Sequence, residues 1–297
     1  ILNGRHNKES VEHEDYNAIR ERIKKNLVAT EVTWNQVNSL INILEATVSA
    51  VPSSTDTTQL IDVSLFDHAK TTAGIAACIY AYLAEQGVRD YRRALFSKET
   101  SSEYYAKPMF LLYSCDMSGI QDFIYNISGS GALKQLRARS MYLEILLEHA
   151  ADELLDRLGL SRANLLYTGG GHAYMLLPST KSSKEIIDTA GSELRSWFLE
   201  HYRTDLYVAS AYVECSADDL SNKGGDGKRY RSLFRHLSSL LSEAKASRYT
   251  ALEIRSLNFE NDPVGDHGRE CRECHRSDLD IDANGRCPLC SELGKIS

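Results

Sequence analysis

The sequence predicts an α+β protein: a ferredoxin-like (split βαβ) domain, preceded by an all-α region and followed by a small helical segment with a four-cysteine module. Three observations predict it. Residues 1–100 carry helical periodicity; residues 108–215 run strand, helix, hairpin, helix, strand; and four of the seven cysteines fall between Cys271 and Cys290. The expected units are therefore 1–100, 108–215 and 216–297.

The chain has 297 residues, 42% hydrophobic and 25% charged. That length suits two or three domains with a substantial core, and the composition excludes a disordered or collagen-like chain. The longest nearly unbroken apolar run, Ala73 to Ala84, is too short to cross a bilayer. The polar opening Ile1-Leu2-Asn3-Gly4-Arg5-His6 carries no secretory signal. A first residue other than Met, and an end just past the cysteine cluster, point to a piece of a longer protein. The formal charge of -7 argues against a surface coated in positive charge to grip duplex DNA.

In the first unit, Ile19, Ile23 and Leu27 mark one face of a helix over residues 11–30, and Trp34, Val37, Leu40, Ile41, Leu44 and Val48 continue that period. Val51-Pro52-Ser53-Ser54-Thr55-Asp56 stops it. A third helix is expected from Asp67 or His68 to Gln86, with Gly87 as its stop. Its interior, small and apolar nearly all round, predicts burial on every side. Residues 98–107 read as a polar connection.

Met109 to Asp116 follows Pro108 as a short apolar run, the expected central strand. After a Ser/Gly loop at 128–131, a long helix carries Leu133, Leu136, Leu143, Leu147, Ala150, Leu154 and Leu158 on one side, with Gly159 as its stop. Residues 164–167 and 173–177 are strands joined across Gly169-Gly170-Gly171-His172, since successive glycines allow the positive φ of a tight turn. A helix over 183–202 and a strand over 206–215 complete the unit. An antiparallel sheet with helices on one face would bury the long leucine stripe. A Gly/Lys loop (222–228) and an amphipathic helix (230–246) lead to the cysteines.

Cys271 and Cys274, and Cys287 and Cys290, are two CxxC pairs with twelve residues between them. Each pair forms a knuckle, and two knuckles complete a tetrahedron of thiolates for Zn²⁺; four ligands close the coordination sphere, so the metal is structural. A disulfide pair or chance clustering is the competing reading, the former weakened because the remaining Cys78, Cys115 and Cys215 sit alone in apolar or strand-like contexts, as in a reducing cytoplasm. His267 and His275 are alternative ligands, better read as surface residues.

Strand one and the middle hairpin of a split βαβ sheet end side by side, where two carboxylates could hold a divalent metal for nucleotide chemistry. Asp116 supplies one. The hairpin tip has no carboxylate, and His172 suits Mg²⁺ poorly. A catalytically degenerate sheet is expected, still able to bind a nucleotide through Asp116, Ser118, Gly119, Gly169, Gly170, Gly171 and His172, because glycines let phosphate or ribose approach the chain. A bare glycine turn is the plain alternative.

Three stretches carry a family resemblance: residues 116–125 (Asp-Met-Ser-Gly-Ile-Gln-Asp-Phe-Ile-Tyr), 136–140 (Leu-Arg-Ala-Arg-Ser) and 167–171 (Tyr-Thr-Gly-Gly-Gly). Together they resemble the first palm of the large, polymerase-like subunit of type III-A CRISPR effector complexes (Csm type). Residues 51–55 and 62–73 resemble the closing part of that family's N-terminal HD domain, and the CxxC pairs fall where the family places a zinc-binding insertion. The resemblance implies an intact subunit that cleaves single-stranded DNA with its HD domain. Its palm pair makes cyclic oligoadenylates from ATP with Mg²⁺ or Mn²⁺, alongside other Csm-type subunits, guide RNA and target RNA. It implies no membrane association. The family's catalytic Gly-Gly-Asp-Asp hairpin and its His-Asp dipeptide do not occur here, so the chain corresponds to an HD-domain remnant, palm one and the zinc module.

Asp67 and His68 are candidate HD-site metal ligands by the same resemblance, or equally a helix-start pair in which one residue caps. Lys134, Arg137 and Arg139 read as a solvated basic patch or a subunit interface, with phosphate or RNA as the functional alternative. Gly224-Gly225-Asp226 lacks a flanking apolar strand and is read as surface loop. Two other functions compete: a free-standing nucleotide cyclase of the Gly-Gly-Asp-Glu-Phe kind, against which the missing hairpin acids count, and a zinc-ribbon nucleic-acid-binding scaffold.

Overall fold

Residues 13–28, 33–54, 62–127, 132–260 and 269–296 are described in the computed structural model. Thr55, the Ser/Gly loop at 128–131 and His267 lie outside them. Helices α1 (His13–Val28) and α2 (Val37–Val48) pack on each other and lead to α3 (Leu65–Glu85). Ser64 caps α3, its hydroxyl accepting the Asp67 N–H at 3.0 Å. The helix thus starts two residues before Asp67.

The expectation of all-round burial for α3 is corrected. Phe66, Gly74, Cys78 and Leu83 form a single buried stripe, while Ala73, Ala76 and Tyr80 face solvent. Smallness serves close approach on one side: a Cβ at Gly74 would lie 2.6 Å from the Ala163 carbonyl oxygen. Buried Asn164 fastens that contact, donating to the carbonyls of Gly74 (3.1 Å) and Leu176 (2.8 Å). The stretch read as a polar connection instead holds helix α5 (Ser101–Ala106), just after α4 (Tyr91–Phe96). Both are too short for periodicity to reveal; Asp90 caps α4 by accepting the Arg93 N–H at 3.0 Å.

Strand β1 (Phe110–Ser118) is followed by the short α6 (Ile120–Tyr125) and the long α7 (Ala132–Arg157). Strands β2 (Leu165–Gly169) and β3 (His172–Pro178) form the hairpin, and α8 (Lys181–Tyr202) returns to β4 (Tyr207–Cys215). Among the described residues these strands make one sheet of four in the order β2-β3-β1-β4, every neighbouring pair antiparallel. The chain continues through α9 (Ala217–Leu220), α10 (Lys228–Ala246), α11 (Ala251–Arg255) and, within the cysteine module, α12 (Pro288–Ile296).

Side chains alternate across β1, and each set meets its own core. Leu111, Tyr113, Cys115 and Met117 pack with Leu143, Leu147 and Leu154 of α7 and Ile187 and Phe198 of α8. Phe110 and Leu112 pack with Cys78 of α3 and Leu233, Leu237 and Leu241 of α10. Both faces of the sheet are therefore covered, not one. A strand with both faces buried reads as a continuous apolar run, which is the pattern of residues 109–113. Leu133, expected on the buried stripe of α7, is exposed, because α7 first joins the sheet core at Tyr142 and Leu143, more than two turns later.

Candidate functional site

Asp116 lies near the end of β1, directly opposite His172 at the start of β3. It points to the face covered by α3 and α10 and is 7% exposed. A buried carboxylate needs a counter-charge, and the last turn of α10 supplies it: Lys245 donates to Asp116 Oδ2 in a close ion pair. His172 Nε2 lies 2.9 Å from the same oxygen. Its Nδ1 faces the Gly170 carbonyl at 3.3 Å.

The turn between β2 and β3 has φ of +60° at Gly170 and +88° at Gly171, the left-handed pair that a two-residue hairpin of the I′ kind requires. The Met117 N–H donates to the Gly171 carbonyl at 2.8 Å, which ties this turn to the end of β1. Ser118 ends β1, and Gly119 follows with φ +89°, its absent Cβ allowing the Asp205 carbonyl to approach. Asp116, Ser118, Gly119 and Gly169–His172 thus gather at one end of the sheet. The gathering contains one carboxylate, already paired, and a backbone turn that is open at Gly170, with Tyr167 against Gly169 and Ile120 against Gly171. It does not contain the two-carboxylate set that a pair of catalytic cations needs.

Asp67 and His68 are both exposed. Asp67 Oδ2 accepts the Ser64 hydroxyl at 2.7 Å. Among the described residues no trio of metal-ligating side chains forms around them.

The four cysteines do converge. The ligand atoms of Cys271, Cys274, Cys287 and Cys290 all lie within 4.8 Å of one another, and Cys271, Cys287 and Cys290 are fully buried. Backbone hydrogen bonds shape the knuckles: His275 N–H donates to the Cys271 carbonyl and Ser291 N–H to the Cys287 carbonyl, each at 2.9 Å. The Cys287 N–H points at Cys271 Sγ (3.3 Å). Hydrogen bonds from the Cys274 and Cys290 thiols lower the Cys287 thiol below its ordinary value. Four thiols at this spacing are a donor set fit for a tetrahedral thiophilic cation. His275 is not part of the cluster.

The partners of two buried or half-buried cationic side chains were not legible in the sequence. Lys245 had no signal beyond its place in an amphipathic helix. Arg139 had one: it interrupts the apolar stripe of α7 between Leu136 and Leu143. The solvated patch expected of it is corrected, since Arg139 is 2% exposed, while Lys134 and Arg137 are indeed exposed. Its Nη2 donates to Cys290 Sγ at 3.1 Å and its Nη1 to the Phe123 carbonyl at 2.5 Å.

Fold and site together define a mixed α/β protein whose antiparallel sheet is followed by a cluster of four cysteines that could hold a metal ion. The chain belongs to the Csm1 family: the family described as Csm1 subunit domain B matches residues 109–260. It is 49% identical over 261 residues to the protein of Enterococcus italicus named CRISPR system single-strand-specific deoxyribonuclease Cas10/Csm1 (subtype III-A), covering 88% of this chain and 34% of that protein. The protein of the same name from Mycobacterium tuberculosis is 45% identical over 292 residues, covering 95% and 36%. Among solved structures, a Csm1-Csm4 cassette in complex with pppApA superposes with a TM-score of 0.68 at 28% identity, over 84% of this chain and 32% of that one. Csm1 of T. onnurineus gives 0.64 at 29% identity, over 78% and 30%. The chain spans about a third of the length of these relatives. No described helix is long and apolar enough to cross a membrane.

Proposed function

We propose that this chain is part of the large subunit of a type III-A CRISPR RNA-guided interference complex, in which its sheet is a degenerate, ferredoxin-like first palm. The strand order β2-β3-β1-β4 with α7 and α8 as crossovers supports the palm reading. On this reading residues 1–100 are the closing part of an HD-type domain, 108–215 the palm, and 216–297 a linker helix with a structural zinc module. The intact subunit cleaves single-stranded DNA and makes cyclic oligoadenylates from ATP with Mg²⁺ or Mn²⁺. It works in the cytoplasm with other Csm-type subunits, guide RNA and target RNA. This palm gives a nucleotide-binding wall and a docking surface.

The observation that carries the supporting role is the ion pair of Asp116 with Lys245, with His172 on the same oxygen. The one acid at the strand end faces an ammonium of its own chain, and the opposing turn is glycine. Ser118, Gly119 and Gly169–Gly171 would present backbone to a nucleotide, and the four thiolates would hold Zn²⁺ without taking part in chemistry. The missing hairpin acid also weighs against a free-standing cyclase. Incubating the purified chain with labelled ATP and Mn²⁺ tests the assignment: ATP is retained and no cyclic product forms. Turnover to cyclic oligoadenylate by this chain alone overturns it.

A further inference from the structure

Arg139 sits where two units meet. Its helix, α7, packs against α12 of the cysteine module and against α6, the segment that follows the Ser118-Gly119 turn. The guanidinium is buried, lies 5.1 Å from the centre of the Phe123 ring, and among the described residues forms no ion pair with a carboxylate. A buried guanidinium without an anion is costly. The group that answers it is Cys290 Sγ, at 3.1 Å. A neutral thiol is a weak acceptor, whereas a metal-bound thiolate carries the charge that makes such a bond short and strong.

The other prong addresses α6. A six-residue helix leaves most of its carbonyls without intrahelical partners, and Gly119 at its start offers no side-chain cap. Arg139 Nη1 takes the Phe123 carbonyl at 2.5 Å. One planar fork therefore spans a metal-ligating sulfur and the backbone of α6, a double geometry that a lysine cannot reproduce.

We infer that Arg139 is a positioning residue that couples metal occupancy of the Cys271/Cys274/Cys287/Cys290 site to the order of the Ser118–Tyr125 segment. This rests on the zinc reading above. With the metal in place, Cys290 is fixed and the guanidinium is anchored to it. The anchored guanidinium then holds α6, and with it the turn at Ser118 and Gly119. With the metal removed, Cys290 keeps only the packing of α12 on α7 and loses the thiolate charge that anchors the fork, so the tie to α6 weakens.

The test uses the full chain, with metal content read by elemental analysis and backbone order by hydrogen–deuterium exchange, before and after EDTA. In the parent, loss of about one zinc per chain is accompanied by at least five-fold faster exchange over residues 119–126. Arg139→Met removes both bonds with little change in volume: exchange over 119–126 is fast from the start and insensitive to EDTA, and zinc leaves faster. Arg139→Lys keeps the charge and restores zinc retention only in part. With Co²⁺ in place of zinc, the sulfur-to-cobalt absorption shifts in Arg139→Met, which a purely space-filling role would not cause. Zinc loss with residues 119–126 still protected overturns the coupling while leaving the metal site intact; a chain that never holds zinc overturns the metal reading itself. Should Arg139→Met fail to fold, the EDTA response of the parent and the cobalt spectrum of Arg139→Lys decide the question.

Discussion

Lys245, in the last turn of α10, is ion-paired with Asp116 of β1 across 129 residues of sequence. The pair closes the sheet end from the side opposite α7 and α8. It also decides what the carboxylate can do. A divalent cation arriving at Asp116 would have to displace an ammonium that the fold itself delivers, and would find no second acid at the glycine turn.

The ion pair predicts an asymmetric mutational response. Asp116→Asn leaves Lys245 without its anion, and Lys245→Met strands a buried carboxylate with a half-exposed histidine. Each costs about 1–3 kcal/mol in urea unfolding, with the carboxylate-stranding variant the more costly. The double variant recovers part of the sum, giving a coupling of at least about 0.5 kcal/mol. Strict additivity would mean that the pair is an incidental contact.

The cysteines divide into two chemical classes, and thiol labelling at pH 8 separates them. Burial pushes Cys78, Cys115 and Cys215 up to about 12, so their thiolates are too scarce to react. The metal-loaded chain takes up no label; after chelation the label appears on Cys271, Cys274, Cys287 and Cys290, as peptide mapping would read it. Label on the module before chelation would contradict a closed site.

The same three thiols set a pH dependence. Their ordinary value is 9.0 and the folded value about 12, so between these the unfolded chain has lost protons that the folded chain keeps. Their contribution is fully present below pH 9 and is lost as pH rises toward 12. Stability in that window falls by on the order of 1 kcal/mol per pH unit for each thiol. Unfolding curves recorded from pH 8 to 11 check the sign; a flat profile would mean that these groups are not held neutral.

Much of the fold was legible because its signals are local. The run of residues 109–113, the glycine turn and the leucine period of α7 each report a nearest-neighbour preference, and the paired CxxC spacing reports a coordination number. What stayed hidden depends on partners far away in sequence. The amphipathic period of α10 says that one face is apolar, not that it covers the second face of the sheet. Arg139 looked like part of a basic patch because its partners, Cys290 and the Phe123 carbonyl, lie 151 and 16 residues away. The short helices α4 and α5 have too few turns to build a period.

Two glycines at the sheet end separate a folding role from a binding role. At Gly119 a Cβ would lie 1.8 Å from the Asp205 carbonyl oxygen, on a backbone already at φ +89°. Gly119→Ala must therefore move the segment before β4, and is expected to cost more than about 3 kcal/mol, the sum of overpacking and left-handed strain.

At Gly170 a Cβ would meet nothing within 4 Å, and only the backbone at φ +60° opposes it. Gly170→Ala should cost about 1–2 kcal/mol and leave the fold intact. The new methyl stands in the open space through which a phosphate or ribose would reach the turn. If the hairpin backbone contacts a nucleotide, ATP affinity measured by calorimetry falls at least about ten-fold, or 1.4 kcal/mol, in a chain that still unfolds cooperatively. An unchanged affinity with the small stability loss would leave the glycines as the requirement of a two-residue turn and nothing more.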